Sequence, residues 1–86
     1  MVLVVAPVLG VFQQGPQAGA PPLVRPGTEL QPDSVVGFIR TLGDLTAVQA
    51  GLRGTVVEVA VPDGQFVEFG QTLLRVSPQP TAAVAG

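Results

Sequence analysis

With 86 residues, 47% of them hydrophobic, and a net charge of −2, the chain has room for one small domain. It contains no Cys, His, Trp or Tyr, which removes thiol and disulfide chemistry, the commonest general base and metal ligand, and most stacking platforms. Its four cations are all arginine (Arg25, Arg40, Arg53 and Arg75), so no lysine ε-amine exists for Schiff-base chemistry or acylation, and no basic patch marks a nucleic-acid site.

Valine enrichment with 11 Gly and 9 Pro favours short strands and tight turns over helices, and no apolar three–four spacing persists beyond two turns. Val2 to Ala6 reads as a first strand, turned at Pro7 and resumed from Val8 to Gln13. The apolar run Met1–Phe12 is too short to span a bilayer and is broken by Pro7 and Gly10. Ala18-Gly19-Ala20 imitates a leader cleavage site, but the charged start of a signal peptide is missing, so the run is assigned to the fold.

Residues 14–22 lack periodicity and form a loop. Arg25-Pro26-Gly27 and Gln31-Pro32-Asp33-Ser34 are turns around a short extended piece, Thr28 to Leu30. Val35 to Arg40 and Leu45 to Ala50 form a hairpin, for which Gly43-Asp44 is expected as the central pair. That register sets Leu42 opposite Leu45 and Thr41 opposite Thr46.

Thr55 to Val61 is the longest strand candidate; with a regular pleat Glu58 faces solvent and Val57, Val59 and Val61 face the core, joined by Ile39, Leu73 and Val76. Pro62-Asp63-Gly64 is a turn, and Gln65 to Phe69 and Thr72 to Val76 are the last strands. From Ser77 the chain reads as a tail, with the domain taken as 1–78 and residues 79–86 as disordered. The last strand and the edge at Val2–Ala6 are candidates for pairing with a second copy.

The sequence also repeats itself. Val4-x-Ala6-x-x-x-Gly10-Val11 recurs 44 residues later as Val48-x-Ala50-x-x-x-Gly54-Thr55. Gly27-x-x-Leu30-x-x-Asp33-x-Val35-Val36 recurs 37 residues later as Gly64-x-x-Val67-x-x-Gly70-x-Thr72-Leu73. The two offsets place a seven-residue insertion in the first half, at the loop 14–22. Two such β halves bury their faces only against each other, which predicts a closed sandwich with a pseudo-twofold axis.

These residues resemble the biotinyl/lipoyl domain, and within it the biotin carboxyl carrier proteins of acetyl-CoA carboxylase. Ala6-Pro7-x-x-Gly10-x-Phe12 is similar to the family's S-P-M-V-G-T-F/Y. Gly54-Thr55-Val56 followed by Pro62-x-Gly64-Gln65-x-Val67-Glu68-Phe69 is similar to S-G-T-V … N-G-Q-P-V-E-F without gaps. The loop from Gln14 to Leu23 matches the protruding thumb of these carriers in place and length. The resemblance implies an all-β barrel-sandwich hybrid of two four-stranded antiparallel sheets.

It breaks at the attachment motif. Where the family has E-A-M-K-M, this chain has Arg40-Thr41-Leu42-Gly43-Asp44, so Gly43 stands at the biotinyl-lysine position, flanked by Leu42 and Asp44. The Gly that usually precedes the hairpin strand is Asp33. A carrier needs the ε-amine to hold biotin on a long arm between two active sites, so neither biotin nor lipoate is expected as a cofactor.

The reading that follows is a non-biotinylated carrier-like domain, a structural or regulatory subunit of acetyl-CoA carboxylase in fatty acid biosynthesis. Its partners would be biotin carboxylase, carboxyltransferase or a lysine-bearing carrier protein, with Arg40, Leu42, Gly43 and Asp44 as contact candidates and a cytoplasmic location. The alternatives are an interaction or adaptor module of the same fold without cofactor, and a fragment, since family carriers place an N-terminal region and linker before the domain. Neither nucleic acid nor membrane is expected as a partner. An enzyme is not expected: Glu29, Asp33, Asp44, Glu58, Asp63 and Glu68 fall mostly at turns or on solvent faces, and Asp33, Asp44 and Asp63 lack the spacing of a cation loop.

Overall fold

Short β-branched runs separated by Pro and Gly turns become eight strands in the computed structural model, which describes residues 1–17 and 19–79. They are β1 Val2–Val5, β2 Gly10–Gln13, β3 Glu29–Leu30, β4 Val35–Thr41, β5 Asp44–Gln49, β6 Gly54–Val59, β7 Phe66–Val67 and β8 Thr72–Pro78. One four-stranded sheet has the order β1-β8-β6-β3 and the other β5-β4-β2-β7, with every neighbouring pair antiparallel.

The internal repeat accounts for both orders at once. Matching β1 to β5, β2 to β6, β3 to β7 and β4 to β8 converts the first sheet into the second, strand for strand. The hydrogen bonds between loops obey the same operation. Ala6 donates to Gln71 O as Ala50 does to Ser34 O, and Gly64 donates to Phe12 O as Gly27 does to Val56 O. A register shift beside Val36 in β4 is repeated beside Leu73 in β8.

Gly10 and Gly54 are equivalent too, and each lies tight against the neighbouring strand of its own sheet, β4 and β8 respectively. A Cβ on Gly10 would lie 2.5 Å from Arg40 O and 2.7 Å from Ile39 Cγ2; one on Gly54 would lie 2.5 Å from Ser77 O and 2.7 Å from Val76 Cγ1. Backbone oxygens cannot move aside as a flexible side-chain end can, so Gly54→Ala is expected to destabilise by about 1–3 kcal/mol or more. A chemical denaturation midpoint within error of the parent would contradict this packing.

The core lies between the sheets, with Phe12, Ile39, Leu73, Leu74, Val67 and Val76 wholly buried. The N-terminal apolar run contributes Val4, Ala6 and Phe12 to it, while Val2, Leu3, Val5 and Leu9 stay exposed. Ile39, Val61, Leu73 and Val76 are buried as expected, and Val59 packs half-buried against them. Val57 is not in the core. The ladder pairs Val56 with Val76 but Glu58 with Arg75, so Val57 is the extra residue of a β-bulge and points to solvent, while Val56 takes the core position.

Three further boundaries differ from expectation. β8 continues through Ser77 and Pro78, which pair with Thr55 and Gly54, and Gln79 N–H donates to Arg53 O at 3.0 Å; the rest of the predicted tail lies outside the described residues, as does Ala18. β7 is only two residues long, because Glu68 and Gln71 close a turn immediately after it. β8 runs between β1 and β6 and offers no free edge, whereas β1 is an edge strand.

Candidate functional site

The tip of the β4–β5 hairpin carries Arg40, Leu42, Gly43 and Asp44, and its register differs from the expected one. Thr41 pairs with Asp44, Arg40 with Leu45 and Ile39 with Thr46, so the two central turn residues are Leu42 and Gly43, not Gly43 and Asp44. A slip of two residues leaves every side chain on its original face, so apolar alternation cannot select between the registers. The turn selects. Gly43 has φ +83° and among the described residues no non-glycine has positive φ, so Leu42-Gly43 has the negative-then-positive order of a type II turn, which needs glycine second.

Gly43 therefore sits at the apex with open space around its Cα. Leu42 beside it is fully exposed, and Asp44 and Leu45 are exposed on the return strand. Arg40 is held from behind: its Nε–H donates to Gln13 Oε1 at 2.8 Å, and buried Gln13 donates in turn to Gly15 O at 3.4 Å. Among the described residues no carboxylate lies within salt-bridge distance of Arg40; the ion pair found there is Arg75–Glu58, at 3.4 Å and half exposed. An ion pair of that exposure contributes little.

Beside the tip, on the outer face of β4, β2 and β7, runs an open groove of about 570 Å³ lined by Leu9, Gly10, Val11, Arg40, Thr41, Leu42 and Phe66. A smaller depression lined by Arg40, Thr41, Gly43, Asp44 and Leu45 lies next to it. Sequence reasoning brings Arg40, Leu42, Gly43 and Asp44 to this place but misses Leu9, Val11, Phe66 and Gln13. Three of those have a signal in the repeat: their counterparts, Arg53, Thr55 and Glu29, are all polar. Gln13 has none: a polar residue at a strand end reads as exposed, and only the fold brings Arg40 and Gly15 O to its buried amide.

The loop 14–22 is fastened at its base. Gln14 N–H donates to Asp63 Oδ1 at 2.7 Å, its side chain donates to Val61 O at 3.1 Å, and Leu23 N–H closes the loop onto Gln14 O. Among the described residues none of its hydrogen bonds reaches 41–46. Asp63→Ala should loosen it at a cost of about 1 kcal/mol, read as faster hydrogen exchange at the Gln14 amide; unchanged protection would show that the carboxylate does not hold the loop. The six acids lie exposed, and among the described residues no three of them gather as a cation site.

Two four-stranded sheets related by a pseudo-twofold, with a tight hairpin turn projecting from one of them, define a barrel-sandwich hybrid of the biotinyl/lipoyl type. Over most of its length the chain is similar in sequence to biotin carboxyl carrier proteins of acetyl-CoA carboxylase. The protein of that name from Chlamydia trachomatis is 33% identical over 73 residues, covering 85% of this chain and 44% of the relative. Those from Pyropia yezoensis and Nostoc sp. are 30% and 29% identical, covering 85% and 87% of this chain and 46% and 41% of the relatives. The chain thus spans somewhat under half the length of the curated relatives it matches. No protein-family model matches it.

Proposed function

We propose that this chain is a carrier-like domain that holds no biotin and serves acetyl-CoA carboxylase as a structural or regulatory subunit in the cytoplasm. The observation that carries the proposal is a carrier-type scaffold whose turn apex is Gly43, in a chain without a single lysine. The attachment reaction joins the biotin carboxyl carbon to a lysine nitrogen as an amide, and glycine supplies no side chain for it. What survives is the shape that a carrier presents to its enzymes. The domain would therefore occupy a carrier's docking place on biotin carboxylase or carboxyltransferase, or associate with a lysine-bearing carrier.

Calorimetric titration of the folded domain into biotin carboxylase and, separately, carboxyltransferase and a biotinylated carrier tests this. Saturable binding to at least one supports the proposal, and no binding to any overturns it. One observation favours the second reading, an interaction module of the same fold outside any carboxylase: the loop 14–22 is tied to Val61 and Asp63 and makes no hydrogen bond to the tip among the described residues. Failure of all three titrations would leave that reading standing.

A further inference from the structure

The pseudo-twofold axis builds the groove beside the tip twice. Its counterpart on the other sheet is lined by Glu29, Leu30, Gln31, Arg53 and Gln79. The repeat offsets of 44 and 37 match Leu9 to Arg53, Val11 to Thr55, Phe66 to Glu29 and Leu42 to Gln79. At the three matched places that line both grooves, the second holds Arg53, Glu29 and Gln79 where the tip groove holds Leu9, Phe66 and Leu42. The fold does not require apolar residues there, since it tolerates Arg, Thr, Glu and Gln at the equivalent places. Yet Leu9, Phe66 and Leu42 are left exposed beside the tip, at a cost in solubility that the other groove avoids.

We infer that the tip groove is a docking face for a protein segment that lays an apolar side chain over Gly10, between Leu9 and Phe66, and sets a carboxylate against Arg40. The carboxylate follows from charge: among the described residues Arg40 is the one charged residue lining the groove, and Gln13 fixes its Nε, while the rest of the guanidinium has no partner among them and can receive an acid. A protein segment suits the shape better than a small molecule. Small-ligand sites enclose most of their occupant, whereas this groove is open along the sheet and one wall, Leu42, stands wholly in solvent. An exposed apolar residue beside an arginine is the composition of an interface centre. The assignment does not depend on the carboxylase reading, and its test uses no carboxylase subunit.

A library of random dodecapeptides displayed on phage is selected against the folded domain, and the enriched peptides are synthesised and titrated. Enriched sequences should pair Asp or Glu with Leu, Ile or Phe. The double variant Leu9→Arg, Phe66→Glu copies the residues of the polar groove and should fold as the parent does, checked by its melting temperature. Binding to it should fall at least about tenfold, and replacing the peptide's acid by its amide should weaken binding to the parent domain to a similar extent. Glu29→Ala, in the polar groove, should change nothing. No enrichment, peptides without an acid, or affinity unchanged in the double variant would each overturn the inference. Should the double variant fail to fold, Phe66→Thr takes its place with the same expectation.

Discussion

Replacing Leu42 by Met, Gly43 by Lys and Asp44 by Met should convert the domain from a chain that takes no label into one that biotin ligase modifies at residue 43. The change expected is from none to stoichiometric, read by intact mass after incubation with ligase, biotin and ATP, and located by peptide mapping. The geometry supports it: position 43 is a central turn residue, nothing lies within 4 Å of a Cβ built there, and Leu42 and Asp44 are exposed on either side. The obstacle is conformational. Gly43 has φ +83°, and a lysine held there would cost roughly 1–2 kcal/mol. The graft should therefore melt lower, by roughly 4–8 °C per kcal/mol for a domain of this size. A folded graft that takes no biotin would show that this turn is not presented as a carrier's is.

The largest loss of stability is expected at Phe12. Its ring is wholly buried and lies against Gly37, where an added Cβ would come 2.6 Å from Cε1. Phe12→Ala should cost about 3–5 kcal/mol, against a total of about 5–15 kcal/mol for an ordinary domain. Urea denaturation should show a much lower midpoint with an unchanged slope. Gly37→Ala should also destabilise the parent, because the ring occupies its space. In the Phe12→Ala background most of that clash is gone, so the double variant should lose less than the sum of the two single losses. Strict additivity would mean that the ring does not rest on Gly37.

The pseudo-twofold is legible in the amino-acid sequence itself. The offsets of 44 and 37 pair each strand with its mate, and the two sheet orders follow from that pairing. Features that break periodicity are not legible in this way. Val57 reads as core because a regular pleat alternates, and a single inserted residue at the bulge reverses the alternation. The tip register is hidden for the opposite reason: two registers satisfy the same pattern, and only the φ order at Leu42-Gly43 separates them. Ser77 and Pro78 read as tail by composition, but they pair with Thr55 and Gly54, as Arg40, the counterpart of Ser77, pairs in the other half with Val11. The tip groove is present in the repeat as three apolar-for-polar exchanges, at Leu9, Leu42 and Phe66, whose meaning depends on knowing that the positions line one cleft.

A competition titration tests whether this domain is a carrier shape without a carrier's cargo. Biotin carboxylase is saturated with a fluorescently labelled, lysine-bearing carrier domain, and the unlabelled 86-residue chain is added in increasing amounts. Saturable displacement of the labelled carrier is expected, with no biotin found on the added chain. A folded chain that leaves the carrier bound at every concentration would contradict the claim that the two share a docking place.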